Sequence, residues 1–74
     1  MPKLANISGR EAVRAFIKAG YSHIHTSGDH AIPQKAEFPT LSIPLHKEVA
    51  RFLIKTQIKR AKLTEDEFER LLKK

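Results

Sequence analysis

Apolar residues keep a helical spacing near both ends of the chain and lose it in the middle. Ala12, Val13, Phe16 and Ile17 fall on one side of a helix, which makes them its expected buried stripe. Ser8 and Glu11 stand just ahead of that stripe in the S-x-x-E spacing of a capping box. Gly20 sits where a left-handed residue closes a helix, and Lys18 lies in the negative last turn. Together these signals predict a first helix over Gly9–Ala19. Arg10, Arg14 and Lys18 repeat every four residues on another of its faces.

From Tyr21 the period changes. Tyr21–Thr26 is rich in aromatic and β-branched residues and reads as a strand, followed by a turn at Ser27-Gly28-Asp29. His30–Ile32 reads as a short second strand stopped by Pro33, and Gln34–Pro39 as a loop. Thr40–Ile43 reads as a third strand stopped by Pro44. Such spacing predicts an antiparallel meander.

Helical spacing returns with Val49, Leu53, Ile54, Ile58 and Ala61, which predicts a helix over Lys47–Lys62. Arg51, Lys55, Lys59 and Lys62 line another side of it, with no acid interleaved. Thr64 and Glu67 form a second capping box, and Leu63 and Phe68 occupy the hydrophobic-staple positions. Phe68, Leu71 and Leu72 are the apolar face of this last helix. The element order is α-β-β-β-α-α, an α+β fold whose three-stranded antiparallel sheet has one face covered by helices and the other open to solvent.

Composition narrows what such a fold does. The 74 residues read as a single domain spanning 1–74. A chain this short buries only about 60–65% of its unfolded surface, so association is an expected source of stability. No apolar run approaches the ~20 residues of a membrane span, and Met1–Asn6 lacks the roughly 7–15 apolar residues of a secretory signal. With no cysteine, thiol nucleophiles, redox motifs and cysteine-based zinc sites are excluded. Absent cysteine also fits a reducing cytoplasm. So small a core argues against a deep multi-substrate pocket. The net charge of +6 points to a polyanion, with RNA or DNA the obvious candidates.

Several runs of residues then come together. Ile7-Ser8-Gly9-Arg10-Glu11 starts the first helix, and Ala19-Gly20-Tyr21 leaves it. Gly28-Asp29-His30 forms a Gly-x-His turn. Ile43-Pro44-Leu45-His46-Lys47-Glu48 precedes the basic helix, and Leu63-Thr64-Glu65-Asp66-Glu67-Phe68 follows it. In order and spacing the chain resembles the HicA (YcfA-like) mRNA interferase toxins of type II toxin–antitoxin modules. That resemblance implies a fold similar to a double-stranded-RNA-binding domain and a metal-independent endoribonuclease with no cofactor. It implies dependence on the histidine of the Gly-x-His turn, here His30, and a cognate HicB-like antitoxin that blocks the enzyme. It also makes a toxin–antitoxin hetero-oligomer an expected assembly, beside the homo-oligomer that the short chain itself suggests. Gly28 and His30 match the turn; Pro44, His46 and Lys47 match the strand exit. The chain departs from the pattern at Asp29, where a small residue is usual, at Pro33, in the loop holding Lys35, which is otherwise sparse in cations, and at Ala61-Lys62, where a glycine is usual.

RNA carries its own nucleophile, the 2′-OH beside each phosphate. Histidine suits the proton transfers its cleavage needs and supplies about 10²–10⁴-fold by acid–base catalysis. His30 is the candidate catalytic residue, with Lys35 or Lys47 as cations to steady the phosphorane. A carboxylate at position 29 repels an incoming phosphate and favours a charged imidazole, so cleavage slower than a serine would permit is expected. His46 has two readings, a phosphate contact or a hydrogen bond to a helix end. His23 and His25 share a face on a regular strand, but no third metal ligand is evident. Gly28, Lys35, His46, Lys47, Arg51, Lys55 and Lys59 are the candidate RNA-binding residues, each cation adding to the salt dependence of binding. Phe16, Phe68 and Tyr21 read as core, Phe38 and Phe52 are left open, and no aromatic interleaves with the cations to make a stacking platform. Two other readings stand beside this one. A non-catalytic RNA-binding domain of the same fold binds RNA without nicking it. A basic protein-interaction module has no RNA affinity at low salt.

Overall fold

The computed structural model describes residues 6–73, the side chains of His23 and Ile24 excepted. The elements are α1 (Gly9–Lys18), β1 (Ser22–Ser27), β2 (His30–Gln34), β3 (Ile43–Pro44), α2 (Arg51–Arg60) and α3 (Glu65–Lys73). The strands form one antiparallel sheet in the order β1-β2-β3. This is the expected α+β fold. α1 packs on β2 and β3, α2 on β3, and α3 against both other helices. Along β2 the pleat sends Ala31 and Pro33 into the core and leaves His30 and Ile32 on the other face.

Both capping boxes form. Ser8 Oγ accepts from the Glu11 amide at 3.1 Å while the Glu11 carboxylate accepts from the Ser8 amide at 2.9 Å. Thr64 and Glu67 repeat the pair at 3.1 and 2.9 Å. α1 ends in a Schellman motif, with Gly20 N–H on Ile17 O, Tyr21 N–H on Phe16 O and Gly20 at φ 106°. α2 ends in the same motif, with Lys62 N–H on Lys59 O and Leu63 N–H on Ile58 O. Here the left-handed position is filled by Lys62, at φ 57°.

One cluster holds the fold together. Phe16 and Phe68 are fully buried with ring centroids 4.9 Å apart, joining α1 to α3. Tyr21 meets Phe16 edge-on at 5.9 Å. Leu41, Ile43, Val49, Ile54, Ile58 and Ala61 belong to the same buried cluster, with Ile7, Ala31 and the small residues of α1. Burial of each large side chain contributes about 1.5–3 kcal/mol.

Four expectations need correction. Pro33 does not stop β2. Ser22 pairs with Gln34 and His25 with Ile32, so two β1 residues stand opposite Pro33 in a bulge that asks no N–H of it. β3 begins at Ile43 rather than Thr40 and includes Pro44 rather than stopping before it: Leu41 N–H reaches Pro33 O at 3.1 Å, but Pro33 has no N–H to return and the ladder is not extended there. α2 begins at Arg51 rather than Lys47. Ala50 is extended and gives no side-chain cap, and the Val49 N–H is drawn to Ile7 O at 2.8 Å. Ile17 is 47% exposed, and Ala15 takes its place in the buried stripe.

Candidate active site

Ser27 and His30 face each other across the end of the β1–β2 hairpin, leaving Gly28 and Asp29 as a two-residue turn. Gly28 has φ 63°, the left-handed angle wanted at the first position of a type II′ turn. The space around it is open, so backbone angle and not packing selects the glycine. His30 follows as the first residue of β2.

His30 also pairs with Pro44 on the other side. Proline has no N–H to give, and the next donor, Leu45 N–H, reaches Asp29 O at 2.7 Å. That bond carries the chain past the sheet edge and brings His46 to the turn. Gly9 N–H holds the His46 carbonyl at 2.9 Å. A methyl group on Gly9 would run into the Pro44 carbonyl and Leu45 Cα, so only glycine lets α1 start this close. The helix end is thus met by the main chain of His46, and its ring is left for something else.

That something is Asp29. One carboxylate oxygen lies 3.1 Å from His30 Nδ1, and the other lies 3.3 Å from His46 Nε2. The Asp29 carboxyl is held below its ordinary value, first by the His46 hydrogen bond, then by its own backbone N–H and by His30. It is therefore ionised at neutral pH and only accepts, so the nitrogens facing it carry hydrogens. His30 Nε2 and His46 Nδ1 are the nitrogens it does not engage. Both rings are accessible, with side chains 45% and 57% exposed.

The cations divide into two groups. Lys47, Arg51, Lys55 and Lys59 are exposed and, among the described residues, have no acidic partner within 4.0 Å. Lys35 is placed differently. It follows β2 at the end opposite His30, donates to Ala19 O at 3.0 Å and lies 4.3 Å from the Phe38 ring centroid. It closes the carbonyl end of α1 and is not brought to the turn.

Three features were not read from the sequence. Asp29 links two histidines 17 residues apart, a relation no local spacing shows. His25 stands opposite Ile32 and so shares the open face with His30; the side chain of His23 lies outside the described residues, and with it the shared face expected for that pair. Phe52 is 69% exposed beside Arg51, with Lys55 and Lys59 on the same side of α2, so an aromatic does interleave with the cations. Its position off the apolar stripe Ile54–Ile58 was the available signal. Among the described residues no three acidic or histidine side chains are grouped to hold a metal ion, and no helix is long and apolar enough to cross a membrane.

No curated protein and no solved structure matches the chain. The model of one family, described as the HicA toxin of bacterial toxin–antitoxin systems, matches residues 9–63. The match runs from the first residue of α1 to the loop before α3. It covers well over half of the sequence, and the chain belongs to the HicA toxin family.

Proposed function

We propose that this toxin is an mRNA endoribonuclease that works by histidine acid–base catalysis in the cytoplasm and is held inactive by a cognate HicB-like antitoxin. The observation that carries the reading is the half-exposed His30 ring, fixed through Nδ1 by Asp29 with Nε2 left for substrate. In the neutral ring Nε2 bears the lone pair, so it can take the proton of a 2′-OH. The 2′-oxygen then attacks the adjacent phosphorus, the bond to the 5′-oxygen breaks as that oxygen takes a proton back from the imidazolium, and a 2′,3′-cyclic phosphate and a 5′-OH result. No cofactor is asked for, because the nucleophile belongs to the RNA.

Binding falls to the exposed cations. Gly28 leaves open space at the turn, and Lys47, Arg51, Lys55 and Lys59 offer positive charge on the segment that follows His46. Phe52 adds a face on which a base can stack.

The test is incubation of purified protein with a long RNA in EDTA, beside a His30→Ala variant matched for folding by circular dichroism. Cleavage by the first and not the second is expected. RNA bound but uncut by both would replace this reading with a non-catalytic binding domain. Equal cleavage by both would remove His30 from the site.

A further inference from the structure

We infer that His46 is a second catalytic residue, which works with His30 as an acid–base pair on the RNA phosphate, and that Asp29 is the positioning residue that holds both rings. This rests on the ribonuclease reading above and extends it from one proton carrier to two.

Phosphodiester cleavage by a 2′-OH needs two proton transfers. One proton leaves the 2′-oxygen as the new bond to phosphorus forms. Another reaches the 5′-oxygen as its bond to phosphorus breaks. A single imidazole has to perform these in turn, whereas two rings perform them together, one taking and one giving. Two accessible imidazoles here meet one carboxylate on its separate oxygens, at 3.1 and 3.3 Å. Each uses one nitrogen for Asp29 and keeps the other, Nε2 of His30 and Nδ1 of His46, for substrate. The rings end the turnover with protonation states exchanged and reset through water.

The backbone around His46 fits a positioned ring better than a loose surface contact. Leu45 N–H is fixed to Asp29 O and the His46 carbonyl to Gly9 N–H, so His46 is anchored on both sides before its ring binds Asp29. The arrangement also gives Asp29 a role other than repelling phosphate, because its charge is engaged by two rings.

The test uses two forms of one RNA. The first is natural. In the second, a bridging sulfur replaces the 5′-oxygen at the mapped cleavage position, and the thiolate leaves without needing a proton. On natural RNA, His30→Ala and His46→Ala are each expected to lose about 10²–10⁴ in kcat. On the sulfur-bridged RNA, the variant lacking the acid recovers to within about 10-fold of the wild type, and the variant lacking the base does not. Recovery of one variant and not the other supports the pair. His46→Gln, which keeps an N–H for Asp29 but carries no transferable proton, is expected to behave as His46→Ala does. Asp29→Asn is expected to lower kcat with KM unchanged. Wild-type speed in His46→Ala, restored speed in His46→Gln, or equal losses on both RNAs would overturn the inference and leave His30 in place. A wild-type protein silent on both RNAs would overturn the ribonuclease reading, and this inference with it.

Discussion

The ring of His46 donates to the carboxylate of Asp29 across 17 residues of sequence, at 3.3 Å. That contact closes the distance between the β1–β2 turn and the exit of β3, and it exists because α1 starts directly beneath. Gly9 N–H holds the His46 carbonyl, and the missing side chain of Gly9 lets Pro44 and Leu45 pass.

Gly9→Ala therefore makes a sharp test of how the site is built. In an ordinary helix the change would stabilise, by up to about 1 kcal/mol. Here the added methyl meets backbone that cannot swing aside. The expected result is a loss of about 1–3 kcal/mol in denaturant unfolding, of the size seen when a packed site is overfilled. RNA cleavage by the still-folded fraction should fall as well, because His46 moves with Pro44.

Lys62 predicts the opposite sign. It occupies the left-handed position of a Schellman motif, which costs a residue with a Cβ roughly 1 kcal/mol. Lys62→Gly is expected to raise stability by about 0.5–1 kcal/mol, read as a shift in the urea midpoint at constant slope. The change also removes an ammonium 5.7 Å from the Phe38 ring centroid, which keeps the gain below the full backbone term.

Much of the fold was legible because its signals are local. Ser8 with Glu11, Thr64 with Glu67, and Gly20 at the end of α1 each depend on neighbours within four residues, and each forms as read. The misread elements depend on partners far along the chain. Pro33 is tolerated by a bulge in β1 yet returns no N–H to Leu41, and the start of α2 is decided by Ile7. The site divides in the same way. The turn Gly28-Asp29-His30 was visible as a motif, while the role of Asp29 as a bridge and the placement of Lys35 on α1 are tertiary facts.

The capping boxes, together with Asp29, contribute to the acid stability of the domain. The Glu11 and Glu67 carboxyls lie below their ordinary value of 4.5, each mainly through the backbone N–H of its own box, Ser8 or Thr64. A lowered folded-state value means stability that is fully present above the unfolded value and lost as pH falls through the folded one. Melting temperature should hold steady from neutral pH down to about pH 5 and fall below it. Glu11→Gln with Glu67→Gln should flatten that fall, since an amide keeps the bond and does not titrate; an unchanged acid limb would place the loss elsewhere.

Phe52 and its flanking cations make separable contributions to RNA binding. Stacking on Phe52 is worth about 1–3 kcal/mol and carries no charge, so Phe52→Ala should weaken binding about 5–150-fold and leave its salt dependence unchanged. Lys59→Ala should weaken it less at high salt and reduce the slope of log K against log salt by about 1. Filter binding across a salt series, with cleavage blocked by His30→Ala, reads both.

The central claim is that the RNA's own 2′-OH is the nucleophile and a histidine moves its proton. End-group analysis of the RNA fragments made in EDTA tests it most directly. The account predicts 2′,3′-cyclic phosphate on the upstream fragment and 5′-OH on the downstream one, with no cut where a single 2′-deoxy nucleotide occupies the site. Fragments carrying 5′-phosphate, or cleavage beside the 2′-deoxy nucleotide, would contradict it.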